Sequence, residues 1–258
     1  MSSPRRDDIA RDQGPVAMNF ELVAERYSGR IPYLPAFFAK AVALLGLSKE
    51  STVLDLGCGT GTLSLGFAPY CGSVLAVDRS ASMLSHRRET PDNVRFLLAD
   101  INAVSTLPVR ADLVVIGMAV HFFEKEKLIP LLSAVTAPSA AVLICGTTIS
   151  KRTPWFAQYA RLRARHSTLK APMDVYGRAR FAGTEWLPGR SLRAAAPRPF
   201  SARYLLEHAL SYPSSVEGIL EDKDGFEREL ERVLQSYARP PHHAVGEIVS
   251  WGLEYRRG

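Results

Sequence analysis

The sequence predicts an α/β fold with a mostly parallel sheet flanked by helices. Strand-like and helix-like segments alternate through the middle of the chain, as parallel strands joined by helical crossovers require. The strand-like segments are mostly continuous apolar runs, the pattern of strands covered on both faces. A glycine-rich turn, Gly57 to Gly61, follows the first of them directly.

In chain order, residues 35–47 have helical spacing at Phe38, Val42 and Leu45, and Gly46 and Ser48 end the helix. Strands are predicted at 53–56, 74–77, 94–98, 113–116 and 141–145, with helices at 62–70, 80–88 and 125–135 between them. After Thr148 the texture changes. Residues 151–200 mix Arg, Pro and Gly with Trp155, Phe156, Tyr159, Tyr176, Phe181 and Trp186, and periodicity is weak. Helical patterns return at 201–210 and 225–237, the latter with Phe226, Leu230, Val233 and Leu234 on one face, and 244–255 reads as a final strand. One domain over 1–258, with a cap inserted after the fifth strand at 151–203, accounts for this order.

With 258 residues, 47% hydrophobic and 22% charged, and a mean hydropathy of −0.03, the chain has the make-up of a soluble globular protein and not of a disordered one. No apolar run approaches the ~20 residues needed to span a bilayer; the longest, 113–120, is followed by His121. The first residues carry paired charges and no apolar core, so a secretory signal is not expected. Cys58, Cys71 and Cys145 are odd in number and lack metal-ligand spacing, which points to a reducing cytoplasm. The six histidines show no metal spacing beyond the adjacent pair His242 and His243, so no metal is expected. The net charge of +6 is uneven: residues 151–210 hold twelve Lys/Arg against Asp174, Glu185 and Glu207. That surplus suits a solvated surface, an anionic substrate or a nucleic-acid backbone.

The strongest signal is Val53-Leu-Asp-Leu-Gly-Cys-Gly-Thr-Gly61. Glycines at 57, 59 and 61 permit positive φ and let a ligand lie against the backbone at the carboxyl end of a strand. A dinucleotide fingerprint, G-x-G-x-x-G/A, would place its third small residue at Thr62, which breaks it. Asp55 would repel a pyrophosphate but attract an ammonium. A partly cationic ligand is therefore expected.

From this motif onward the chain resembles the class I S-adenosylmethionine (SAM)-dependent methyltransferases. The likeness continues in register through the strand ending in Asp78, twenty-one residues after Gly57, through 93–101 with Asp100 at its end, and through 111–123. It covers roughly residues 20–150 and implies a Rossmann-like, seven-stranded sheet. It also implies that Asp55 and Gly57 face the methionyl amino group, that Gly59, Gly61 and Gly117 line the cofactor, and that Asp78 holds the ribose. Arg79 and Met83 would flank the adenine, with Asp100 and the Ile101 backbone at its edge. Residues 24–35 are similar to a segment of the methyltransferase type 11 group that includes trans-aconitate methyltransferase-like proteins. There an N-terminal tyrosine and arginine close over cofactor or acceptor, which makes Tyr27, Arg30 and Tyr33 lid candidates. Two positions depart from the family: 137–141 replace a Pro-Gly-Gly turn, and Phe122 stands where a tryptophan usually follows the active-site histidine.

Methyl transfer from a sulfonium needs an oriented acceptor, exclusion of water and, for a protonated acceptor, a base. His121 is the candidate base, its ordinary pKa of ~6.5 being suited to neutrality; a histidine that only hydrogen-bonds loop or acceptor is the alternative. Tyr27 is a second catalytic candidate. Arg30, Tyr33, Phe122 and Trp155 are candidate acceptor contacts. The expected function is methyl transfer to a small-molecule acceptor through O, N or C, by a monomer or homodimer, with S-adenosyl-L-homocysteine (SAH) as product. A tRNA or rRNA methyltransferase using the basic 151–203 segment is one alternative, though the chain lacks an N/D-P-P-Y/F/W amino-methylation motif. An enzyme that cyclises or cleaves the sulfonium is the other.

Overall fold

The computed structural model describes residues 19–169, 174–239 and 243–258. The first helix, α1 (Pro35–Leu45), begins at a proline and ends at Gly46, whose φ of 69° is the left-handed conformation of a helix stop. The alternating segments then follow as β1 (Thr52–Leu56), α2 (Thr62–Phe67), β2 (Ser73–Asp78), α3 (Ala81–Ser85), β3 (Val94–Leu98), β4 (Ala111–Gly117), α4 (Lys125–Val135) and β5 (Thr136–Ile149). These five strands pair in parallel in the order β3-β2-β1-β4-β5.

Burial on both faces explains the continuous apolar runs. Val53, Leu113 and Val115 pack with α1 and α2 around Phe37, Phe38 and Phe67, while Leu54, Leu56, Val114 and Ile116 pack with α4 through Leu128, Leu131 and Leu132. Successive residues of one strand enter opposite cores, so both must be apolar.

Beyond β5 the chain runs through α5 (Phe156–Arg165), α6 (Arg178–Phe181), β6 (Trp186–Phe200), α7 (Ala202–Leu210), α8 (Val216–Leu220), α9 (Lys223–Gln235), β7 (Ala238–Arg239) and β8 (His243–Arg257). β8 lies antiparallel between β5 and β6, and β7 bridges its start, so the sheet is mixed with β6 at its edge. Seven long strands flanked by helices are the architecture the sequence implied.

The boundaries of the expected cap are corrected. Residues 186–200 are the edge strand β6, not part of an insertion over the sheet. Pro188, Pro197 and Pro199 with Arg190, Arg193 and Arg198 disguise it, because an edge strand tolerates missing N–H groups and charges that a central strand does not. Buried Glu254 of β8 accepts Arg190 Nε and Nη2 at 2.9 and 3.0 Å and Arg256 Nε at 2.7 Å, beside the register shift between Pro188 and Ser191. The helices outside the sheet share a core of their own, with Trp155, Tyr159, Phe200, Leu206 and Phe226, and Val23 and Ile31 of the N-terminal segment pack into it.

Candidate active site

Strand order reverses between β1 and β4, and the crevice at their carboxyl ends is where open parallel sheets hold ligands. Asp55 of β1 is fully buried there. Its Oδ2 accepts the Ser64 N–H at 3.0 Å and the Ser64 hydroxyl at 2.5 Å, while Oδ1 has no partner among the described residues. Burial pushes this carboxyl up to about 7 against the pull of the Ser64 bonds.

Gly57, Gly59 and Gly61 all adopt positive φ, from 57° to 83°. The loop is fixed to β2 by Gly57 and Cys58 N–H groups donating to Val77 O at 2.8 and 3.0 Å, and by Gly59 N–H donating to Asp78 Oδ2 at 2.7 Å. A Cβ on Gly57 would stand 2.7 Å from Ala119 Cβ, and one on Gly59 3.0 Å from Met83 Cε, so side chains at either position would fill the crevice. Gly61 is different. It is not among the residues lining the two cavities described below, and a Cβ on it would stand 2.6 Å from the Phe96 ring. Close packing on Phe96 is one reason a glycine stands there.

One cavity gathers Gly57, Gly59, Asp78, Arg79, Met83, Asp100, Ile101 and Gly117, all expected from the sequence, together with Tyr27. Asp78 Oδ1 accepts Ser80 N–H at 2.9 Å, and burial raises its pKa. Asp100 Oδ1 accepts Asn102 N–H at 2.9 Å, and its other oxygen lies 3.9 Å from Arg79 Nη1. Asn102, which no motif marked, donates to Phe122 O at 3.0 Å and accepts Glu124 N–H at 2.9 Å, tying the loop after β3 to the loop after β4. Phe122, expected at the acceptor, lines this cavity instead, edge-on to Phe20 at 5.2 Å.

A second cavity continues round the glycine loop, sharing Tyr27, Gly57, Gly117 and Met118 with the first. Asp55, Thr62, Arg30, Tyr33, His208 and Tyr212 complete much of its wall. Met118 has a φ of 53°, a conformation that non-glycine residues hold only where the surroundings enforce it. Burial raises the Tyr27 and Tyr33 hydroxyls above their ordinary pKa. The segment 19–33 that carries these side chains is held at both ends. Ser80 Oγ meets Glu21 Oε1 at 2.5 Å, Leu34 N–H donates to Ser250 Oγ at 3.0 Å, and Gly29 lies so close to α7 that a Cβ would stand 2.5 Å from Glu207 O.

Besides Gly61, two expected site residues fall outside both cavities. Trp155 is buried in the helical core, donating its indole N–H to Val245 O at 3.2 Å and packing on Phe200 at 5.0 Å. His121 sits in the turn Val120–Phe122, 3% exposed, with neither ring nitrogen hydrogen-bonded among the described residues. Burial and the Arg180 and Arg30 charges push its pKa down to about 4, so the ring is neutral at pH 7. Tyr212 and His208 were missed because they follow β6, far from every glycine or acid motif.

A family model described as a methyltransferase domain matches residues 53–138, the stretch from β1 into β5. A probable S-adenosylmethionine-dependent methyltransferase of Saccharomyces cerevisiae is 27% identical over 124 residues, covering 45% of this chain and 42% of that protein. These likenesses place a methyltransferase domain of the class I SAM-dependent kind in residues 53–138. A malonyl-[acyl-carrier protein] O-methyltransferase of Hamiltonella defensa is 29% identical over 114 residues, 44% of each chain. The chain thus spans less than half the length of these curated relatives. A solved structure described as a putative type II methyltransferase from Anaeromyxobacter dehalogenans superposes with a TM-score of 0.67 at 18% identity, over 88% of this chain and 97% of that one, which shows the shared fold.

The crevice fits the sulfonium cofactor of this family. The orphaned, buried Asp55 Oδ1 suits an ammonium donor, and the space left by Gly57 and Gly59 suits a ligand lying on the backbone. Each Asp78 oxygen accepts one backbone bond and keeps capacity for a hydroxyl.

Proposed function

We propose that this chain transfers the methyl group of SAM to a small-molecule acceptor. The observation that carries this reading is the pair of joined cavities beside the glycine loop, covered by the 19–33 segment and α7. In this reading Asp55 and Gly57 hold the methionyl amino group and Asp78 the ribose. Met83 and Ile101 enclose the adenine, and Asp100 meets its edge. SAM, when bound, supplies an electrophilic methyl on sulfur. Tyr27, which lines both cavities, divides the cofactor side from the acceptor side. Arg30 and Tyr33 face the acceptor, and the roof excludes water.

The charge distribution weighs against a nucleic-acid substrate. Arg165 pairs with Glu229, Arg190 with Glu254 and Arg193 with Glu247, while Arg163 lies against Tyr212, so these four arginines already have partners within the chain. Incubation with methyl-labelled SAM and a metabolite extract tests the proposal: label is expected in a small molecule. Label found only in RNA would favour the nucleic-acid reading, and cleaved or cyclised SAM without transfer the non-methylating one.

A further inference from the structure

The second cavity contains a group of polar side chains for which the cofactor contacts give no role. Tyr212, just after α7, lines the cavity beside Asp55, Gly57 and Gly117. Two guanidiniums flank its ring, Arg30 at 3.7 Å and Arg163 at 4.1 Å from the ring centre. Neither arginine pairs with a carboxylate among the described residues. The Tyr212 hydroxyl lies 3.2 Å from His208 Nε2, and His208 Nδ1 lies 2.6 Å from the Tyr159 hydroxyl. The titratable groups around Tyr212 are thus Arg30, Arg163, His208, Tyr159, Tyr27 and Tyr204, with no acid among those that act on it.

Two cations drawn into a protein without an anion beside them strongly favour a negative charge at the position between them. His208 cannot supply it. Burial, with Arg163 and Arg30 adding to the effect, holds its ring well below the ordinary histidine range, so it stays neutral. Tyrosine is the one group of the cluster whose ionised form is an anion. Burial pushes the Tyr212 hydroxyl up, but the Arg30 and Arg163 charges and their hydrogen bonds pull it down further, to below the ordinary tyrosine value.

Resting on the methyltransferase reading, we infer that Tyr212 is the proton acceptor for the methylated substrate, with Arg30 and Arg163 stabilising its phenolate and His208 fixing its oxygen. An acceptor carrying an O–H or N–H passes that proton to the Tyr212 oxygen as its lone pair forms the bond to the methyl carbon. The electron pair of the broken carbon–sulfur bond stays on sulfur, and Tyr212 leaves the step neutral. The substrate class is accordingly a protonated nucleophile, a hydroxyl or amine, and not a preformed carboxylate. His121, outside both cavities, is not needed as the base.

The test has a readout on the ligand-free protein. Tyrosinate absorbance is followed against pH in wild type, Tyr212→Phe and Arg163→Met. One of the nine tyrosines is expected to ionise ahead of the rest; Tyr212→Phe removes that step, and Arg163→Met moves it to higher pH. With methyl-labelled SAM and the metabolite extract, Tyr212→Phe is expected to bind SAH as wild type does but to lose at least ~100-fold in transfer rate at neutral pH, the lower end for loss of a general base. The inference is overturned if Tyr212→Phe leaves the early part of the titration unchanged, or if it transfers label at the wild-type rate. Wild type that binds no SAH would instead sink the methyltransferase reading, and the titration would still report on Tyr212.

Discussion

Gly61→Ala measures how tightly one glycine of the motif packs against the sheet. Two costs follow from the geometry. Gly61 has a φ of 83°, where an L side chain costs ~1–2 kcal/mol. Its new methyl would also stand 2.6 Å from Phe96 Cζ and 2.9 Å from Cε1, and overpacking of this kind costs ~1–3 kcal/mol. The expected loss of stability is therefore ~2–5 kcal/mol. Gly46→Ala supplies the control, since Gly46 has a φ of 69° with nothing within 4 Å of the added carbon, and should lose only the conformational ~1–2 kcal/mol. Urea denaturation of both variants, with a cycle through Phe96→Leu, measures the difference. Gly61→Ala no worse than Gly46→Ala, or no coupling to Phe96→Leu, would refute a packing clash with Phe96.

Other outcomes follow from the same site. Asp78→Ala should weaken SAH binding by ~1.5–3 kcal/mol, the range for hydrogen bonds to a charged group, measured by calorimetry. Because Asp55 holds a proton up to about 7, binding of an ammonium should displace that proton, so SAH affinity should rise as pH passes upward through about 7 and level above it; Asp55→Asn should remove the slope. Stability should respond in the opposite sense. A carboxyl raised from 3.8 to about 7 stabilises the fold fully below 3.8, and that contribution is lost as pH rises to about 7, so the difference between wild type and Asp55→Asn in urea midpoint should shrink over that window. His121, lowered from 6.5 to about 4, contributes above 6.5 and loses it as pH falls to about 4, so His121→Gln should flatten the acid arm. Gly29→Ala should push the 19–33 segment off α7, seen as faster amide exchange in that segment with β1–β5 unchanged.

The central strands were legible because two-sided burial writes itself into continuous apolar runs, and β1, β2 and β4 ended where the acids and glycines said they would. Asp55, Asp78 and Asp100 were legible for a related reason. Each stands at or just past the carboxyl end of a parallel strand, so their spacing along the chain maps onto one edge of the sheet. β6 was not legible: an edge strand needs neither every N–H nor a continuous apolar face, and its prolines and arginines read as a loop-rich cap. The packing contact of Gly61 was not legible, because Phe96 lies on β3, far along the chain. Tyr212 and His208 carry no local signature, since only the return of the chain through β6 into α7 brings them to the glycine loop. Phe122 and Trp155 show the limit of reading aromatics by sequence position, one facing the first cavity and the other sealed in the helical core.

Calorimetric titration of SAH into the metal-free protein, alongside Asp78→Ala, decides whether the crevice at the glycine loop is a SAM site. The joined cavities at Asp55, Asp78 and Asp100 predict saturable one-site binding, weakened in Asp78→Ala while the variant stays folded. Absence of SAH or SAM binding at millimolar concentration, or an affinity that Asp78→Ala leaves unchanged, would contradict it.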